Sequence, residues 1–316
     1  MEKPGEILLP GERGRPCCIA FSPDGALLAA GSSEDDRIVI WDWRNKTVLR
    51  TLAGHGNGTL DAAFSPDGAV IATCCWDHTI NFWESGSGKW IKNFDAGKFW
   101  PQEIRFSKDG ETVFTSEETP QLGSVLRRWH IATGKSETVV AIADDTDVHF
   151  EISADERTMF LGTEKGIEIR DMGHPNVQPQ VLSQPRASLT LIALAKSGRR
   201  CACSNGFTVR IWEFVQGKAP VEILPKQGSD EQFHSLAFSP IDDRLLAVSL
   251  FHGGGATGVV TLWNATSAIE LARLDGAGSA LRMIAFSPDG NWLAAADLAG
   301  PVKIWDVRQI MAGIKK

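Results

Sequence analysis

One pentapeptide limits what this chain can fold into. FSPDG stands whole at 21–25, 64–68 and 286–290, and returns altered as FSKDG at 106–110, ISADE at 152–156, LAKSG at 194–198 and FSPID at 238–242. The copies begin 43, 42, 46, 42, 44 and 48 residues apart. A period of this kind means that one supersecondary unit is repeated and that each unit buries its apolar face only against its neighbours. The motif itself has the chemistry of a turn. Proline presets φ at the second position, aspartate suits the third, and glycine accepts the left-handed conformation that closes a hairpin. It is read as backbone geometry and not as an active site.

A short alternating strand precedes each turn, an apolar strand follows it, and a third strand ends at Trp41-Asp42, Trp83-Glu84, Trp129-His130, Arg170-Asp171, Trp212-Glu213, Trp263-Asn264 or Trp305-Asp306. Six of these seven ends keep the tryptophan. The repeat length matches a four-stranded propeller blade, and 15 Phe and 11 Trp within a 43% hydrophobic chain supply a core suited to strands. Turn, apolar strand and terminal tryptophan recurring in phase resemble the WD-repeat (WD40-type) β-propeller family, over residues 5 to 308. The resemblance implies an all-β fold of seven four-stranded antiparallel blades around a channel. It would make one domain of 1–316, with blade cores at about 15–52, 58–94, 101–142, 147–182, 188–224, 233–274 and 281–308. A final blade left open would expose an unpaired strand edge, so the strand-like stretch Glu6-Ile7-Leu8-Leu9, within 5–10, is expected to complete blade seven.

The second unit preserves the family pattern best, with Gly54-His55 followed by LDAAFSPDG and IATCCWDHTINFW. There the resemblance implies a hydrogen-bonded tetrad of His55, Thr73, Asp77 and Trp83, a relay that satisfies polar groups which burial would otherwise make costly. Its role is structural, although it looks like a catalytic triad. Elsewhere the tetrad is incomplete: Asp36 keeps the turn carboxylate in unit one, unit seven has Ala299 there, and unit four has Arg170 for tryptophan. Unit four is expected to be the weakest blade.

A net charge of −7 without a basic run argues against a surface that neutralises nucleic-acid phosphates. No charged-then-apolar leader and no run of about 18 apolar residues supports secretion or membrane spanning, so the expectation is a cytoplasmic, monomeric propeller. The six cysteines stand as Cys17-Cys18, Cys74-Cys75 and Cys201-x-Cys203. These spacings do not supply four converging zinc ligands, and the thiols are expected to be buried and free, with no metal and no cofactor. GKS within ATGKSET at 132–138 lacks the preceding glycine of a phosphate loop. Asp144, Asp145 and Asp147 lack the glycine-spaced loop of a calcium site and read as a solvated turn. GxSxG, HExxH and CxxC are absent, and no enzyme is expected.

Units three and six run 23 and 25 residues from turn motif to third-strand end, against 18 to 20 in the others. The extra residues are assigned to hairpins SEETPQLGS at 116–124 and FHGGGATG at 251–258, on the face whose loops carry His55 and Trp100. Insertions confined to one face of a repeat fold mark its binding face. That face gathers Glu34, Asp35, Asp36, Glu117, Glu118, Asp144, Asp145, Asp147, Asp230 and Glu231, interleaved with Trp76, Phe99, Trp100, Phe251 and His252. Aromatic anchors in a charged rim are what protein interfaces use. The reading is a non-enzymatic scaffold that binds protein partners with basic segments. The alternatives are a propeller enzyme or small-ligand binder with a site at the channel, and a regulatory subunit of a larger signalling assembly.

Overall fold

Ser22 shows how the repeated motif turns the chain. Its hydroxyl donates to Asp24 Oδ1 at 2.5 Å, the same carboxylate takes the Ala26 N–H at 2.9 Å, and the Leu27 N–H returns to Ser22 Oγ at 2.8 Å. Gly25 closes the turn at φ +68° with its N–H on Ser22 O. Ser65 with Asp67, Ser107 with Asp109, Ser153 with Asp155 and Ser287 with Asp289 repeat the serine–aspartate bond. In the altered copy ISADE, Glu156 takes φ +57° in place of glycine, a conformation that an L side chain adopts at a cost.

The structure is a computed structural model and describes residues 5–9, 16–34, 36–119, 123–142, 148–163, 166–174, 177–183, 191–215, 218–225, 231–252, 258–275, 281–297 and 301–314. These residues form seven four-stranded antiparallel sheets, a seven-bladed β-propeller. Blade one is Pro16–Phe21, Leu27–Ser32, Arg37–Asp42 and Thr47–Ala53. Blade two is Thr59–Phe64, Val70–Cys75, Thr79–Glu84 and Trp90–Asp95. Blade three is Trp100–Phe106, Thr112–Thr119, Gly123–His130 and Ser136–Ile142. These three blades lie in one compact unit, Arg13–Val148.

The other unit is His149–Lys316 with Met1–Glu12. It holds blade four, from Phe150–Ile152 to Gln180–Ser183, blade five, from Leu191–Leu194 to Val221–Ile223, and blade six, from Glu231–Phe238 to Ile269–Asp275. Blade seven takes Leu281–Phe286, Trp292–Asp297 and Val302–Asp306 from the end of the chain and Glu6–Leu9 from its start. The N-terminal strand therefore completes the last blade, with Glu6 opposite Trp305 and Leu9 opposite Val302. Leu9 is fully buried, and Lys303 Nζ lies 3.3 Å from the Glu6 carboxylate.

Within each unit the repeated tryptophan packs a blade onto the one before it. Trp83 joins Ala29, Ile38, Ile40 and Leu52 of blade one, and Trp129 joins Ile80, Phe82 and Phe94 of blade two, stacking on Phe94 at 5.6 Å. In the other unit, Trp305 joins Leu245, Ala247, Val260 and Leu262 of blade six. Blade four has Arg170 at this position, held 2.6 Å from Glu168 of its own strand. The polar residue after the tryptophan starts the next turn: Asp42 Oδ1 takes the Asn45 N–H and Asn264 Oδ1 the Thr266 N–H. In blade seven the same position caps a helix instead. Asp306 Oδ1 accepts the Arg308 and Gln309 N–H groups at 3.0 and 3.2 Å and starts Val307–Ile314, where the sequence reading ends the chain's structure near Arg308. Ile310 and Met311 pack that helix against the core of blades six and seven. Among the described residues no helix is long and apolar enough to cross a membrane.

Candidate functional site

Blade two brings its four family-pattern residues together from separate segments. His55 lies between the last strand of blade one and Thr59, Thr73 is in the second strand, Asp77 is in the turn after it, and Trp83 is in the third strand. His55 Nε2 is 2.7 Å from Thr73 Oγ1, which also accepts the Trp83 indole N–H at 3.0 Å. His55 Nδ1 is 3.3 Å from Asp77 Oδ2.

A fifth residue, Asn81, sets the order of this network. Trp90 Nε1 donates to Asn81 Oδ1 at 3.0 Å, so the amide turns its NH2 toward the ring, 2.8 Å from His55 Nδ1. Nδ1 thus faces both the Asn81 amide and the Asp77 carboxylate, while Nε2 meets Thr73 Oγ1. Thr73 in turn points its hydroxyl at the Asn81 carbonyl, 3.4 Å away. The sequence reading passes over Asn81; the signal was a lone amide inside the apolar strand TINFW. Burial holds the His55 imidazole below its ordinary pKa, with the Asp77 charge opposing. For Asp77 burial acts upward, but the hydrogen bonds from Thr79 and the Gly56 N–H outweigh it and hold the carboxyl below its usual range.

The six cysteines form no disulfide and are mostly buried. Cys75 Sγ donates to Asn57 O at 3.0 Å and accepts the Asp77 N–H at 3.4 Å, and burial pushes its thiol up to about 12.

Blade three builds the same corner with different chemistry. Trp129 donates to Thr115 Oγ1 at 3.0 Å, as Trp83 does to Thr73, and among the described residues no histidine joins it. Glu117 Oε1 accepts the Thr115 hydroxyl at 2.8 Å and the Trp129 indole N–H at 3.2 Å. This corrects the expectation that Glu117 belongs to an acidic rim. The inserted residues lengthen the second and third strands of blade three to eight residues each, and Glu117 becomes a fully buried strand residue. Its Oε2 makes no hydrogen bond and lies 3.4 Å from Arg127 Nη1. Burial pushes this carboxyl up, with Arg127, Thr115 and Trp129 opposing. Glu231 is also buried, on Arg273 at 2.8 Å, and is likewise no rim acid.

His78 of blade two meets the aromatic pair that leads into blade three. Trp76 sits at the turn between the second and third strands of blade two and is 38% exposed. Two residues on, the His78 ring lies 5.2 Å from the Trp100 ring, and His78 Nδ1 is 2.9 Å from Phe99 O. The Arg127 guanidinium covers the Phe99 ring at 4.1 Å. Trp100 opens the first strand of blade three and is not in a loop; it pairs in register with Glu118, whose carboxylate accepts from Gln102 at 3.3 Å. Phe99 and Trp100 are half-buried. Phe251, in the other unit, lies in the second strand of blade six with its ring edge-on to His234 at 5.7 Å. His252 pairs with Glu231 through its backbone. The His252 side chain and Asp144, Asp145 and Asp147 lie outside the described residues.

Residues 7–42, 46–84 and 269–306 match the family described as WD40: WD domain, G-beta repeat. The chain is 24% identical to the transcriptional corepressor LEUNIG_HOMOLOG of Arabidopsis thaliana, over 91% of this chain and 35% of that protein. It is 22% identical to periodic tryptophan protein 2 of the same plant, over 90% of this chain and 26% of the relative. With nuclear distribution protein nudF 1 of Talaromyces marneffei it shares 24% identity, over 97% of this chain and 61% of the relative. The chain thus spans between a quarter and three fifths of these relatives' lengths. Three stretches of the chain thus match the WD40 repeat itself, and in blade-length period and seven four-stranded sheets the chain is similar to WD-repeat (WD40-type) β-propeller proteins.

Proposed function

We propose that this chain is a non-enzymatic platform that binds protein partners through the face of blades two and three carrying Trp76, Phe99 and Trp100. The observation behind this reading is a pre-organised aromatic pair. Phe99 and Trp100 are held by Arg127 and His78, and the turn that carries His78 also carries the exposed indole of Trp76. Side chains already fixed in place lose little entropy on binding, and aromatic residues and arginine supply most hot spots at interfaces. Glu118, opposite Trp100, and the net charge of −7 favour a partner segment with basic residues. The absence of an enzymatic role is supported by the polar network of blade two, whose donors and acceptors satisfy one another within the fold. The relatives' names, a transcriptional corepressor and a nuclear distribution protein, name no reaction.

The test is affinity capture from the native cell with the immobilised chain and three variants, Trp76→Ala, Trp100→Ala and, in the turn motif at the other end of the strands, Lys108→Ala. A protein retained by wild type and Lys108→Ala but lost by Trp100→Ala is expected. Retention by both tryptophan variants, or a bound small molecule without a protein, would overturn the proposal.

A further inference from the structure

Blades four and five lie in one unit, and their junction is filled differently from that of blades two and three. In blade two, Phe94 of the outer strand stands opposite Ile80 and stacks on Trp129 of the next blade, while Lys92, opposite Phe82, reaches Ile131 O. In blade four the same register positions, opposite Ile167 and Ile169, hold Leu182 and Gln180. Shorter side chains thus replace a ring and a long amine, and a cleft of about 610 Å³ opens against blade five.

The floor of this cleft is apolar. Phe160, Ile169 and Leu182 of blade four face Trp212 and Phe214 of blade five. Phe214 follows Trp212-Glu213, the position at which Ser85, Ala265 and Val307 are buried in their own blades, yet it is 38% exposed, with its ring 5.6 Å from that of Phe160. Its N–H donates to Arg199 O as the Ser85 N–H does to Ala69 O, so the backbone register is the common one and only the side chain differs. Val215 beside it is 57% exposed. Apolar surface gathered in a concave site is where ligands and partners bind.

The border of the cleft runs against the charge of the chain as a whole. Glu213 is the one acid among the described lining residues, and Lys218 and Arg200, the latter at 3.1 Å, neutralise it. On blade four, Asp171 is opposite Thr158 of the lining and is taken up by His174 and the Gly173 N–H. Gly198, also in the lining, belongs to the turn that carries Lys196 and Arg199, which are exposed and, among the described residues, meet no carboxylate. In a chain of net charge −7 these are two uncompensated cations beside an apolar cleft. They stand outside the lining, so an occupant that meets both extends past the cleft, as a chain segment does and a small molecule seated among the rings does not.

We infer that this cleft docks an extended segment of a partner protein in which a large apolar side chain is flanked by acidic residues. The apolar side chain enters among Phe160, Trp212 and Phe214, and the flanking carboxylates reach Lys196 and Arg199, charges that steer and orient the segment. The site uses other blades than the face proposed above and does not rest on that reading.

The experiment is a fluorescence-anisotropy titration of the full chain with synthetic peptides whose central residue is Leu, Ile, Met, Phe or Trp and whose flanks are acidic, neutral or basic. Acidic-flanked peptides are expected to bind wild type, with affinity falling as salt rises. Phe214→Ser, and Lys196→Glu combined with Arg199→Glu, should each weaken that binding by about tenfold or more, the loss a hot-spot contact gives. The double charge reversal should also turn the preference to basic flanks, whereas Lys108→Glu, at the same motif position in blade three, should change nothing. Circular dichroism checks each fold, and if Phe214→Ser does not fold, Val215→Asp replaces it with the same loss expected. Equal binding whatever the flanks, no binding by any acidic-flanked peptide, or binding that the cleft variants leave intact would each overturn the proposal. So would a wild-type dimer in analytical ultracentrifugation that Val215→Asp dissociates, which would give the cleft to a second copy.

Discussion

Asp61 of blade two accepts the backbone N–H of Ile104 in blade three at 3.1 Å. Asp61 is the first residue after a register shift in the innermost strand of its blade, and Ile104 is fully buried in the innermost strand of the next. That strand is an edge, so an outward-facing N–H has no ladder partner. The neighbouring blade supplies one through a side chain. Blades six and seven repeat the arrangement: Ser235, also just after a register shift, accepts the Ile284 N–H at 3.3 Å. Asp61→Ala should therefore cost about 1–3 kcal/mol, the price of a buried amide left without an acceptor. Asp61→Asn keeps an oxygen for Ile104 and should cost less. Losing the Arg105 contact, at 2.7 Å but with Arg105 35% exposed, should add little. Urea midpoints of the two variants check this; equal losses would show that the Ile104 bond carries no weight.

Glu117 makes a prediction about pH. Burial raises its pKa in the folded chain above the ordinary value of 4.5, so the folded state favours the protonated acid. Its contribution to stability is then fully present below about 4.5 and is lost as pH rises through the raised value. Glu117→Gln keeps an oxygen for Thr115 and Trp129 and removes the charge. The variant should gain stability relative to wild type as pH rises from 5 to 8, measured by thermal or urea unfolding. A difference that does not change with pH would mean that the Arg127 guanidinium already compensates the carboxylate fully.

The blades were legible because their signals are local and repeated. A serine, an aspartate and a glycine make the turn within five residues, and the closing tryptophan is one residue in a short apolar strand. Glu6–Leu9 could be placed because blade seven lacked a strand. What escaped depends on register or on contacts across blades. Glu117 was read as a loop acid because an insertion looks the same in sequence whether it lengthens a loop or two paired strands. Asn81 was passed over because its importance lies in Trp90, a residue of the outer strand whose indole reaches back to it. The helix at Val307–Ile314 was missed although Asp306 carries an N-cap side chain, since the same residue type at Asp42 starts only a turn.

The seam of blade seven yields a third expectation. Deleting residues 1–10 removes Glu6–Leu9, uncovers the edge of Val302–Asp306, and frees Lys303 from Glu6. It also strips the buried Leu9 from the core, at a cost of about 2–3 kcal/mol for a fully buried leucine side chain. An exposed strand edge pairs with other chains. The truncated protein should melt lower than wild type and elute as aggregates in size-exclusion chromatography. A monomer with an unchanged melting temperature would mean that the N-terminal strand does not close the blade in solution.

The last expectation separates the two forces proposed to hold a partner on blades two and three. The aromatic anchor acts at short range and is lost only when the complex comes apart, so Trp100→Ala should act on dissociation. A hot-spot loss of about 2 kcal/mol corresponds to a dissociation rate roughly thirtyfold faster. Trp100→Phe keeps a ring beside His78, 5.2 Å from the native indole, and should recover much of the loss. Charge acts at long range, so raising salt or substituting Glu118→Gln should slow association and leave dissociation nearly unchanged. Both rates can be read by surface plasmon resonance with the partner obtained by capture. If Trp100→Ala alters association alone, the indole does not sit in the bound interface. If none of these changes moves either rate, the partner binds a different part of the molecule.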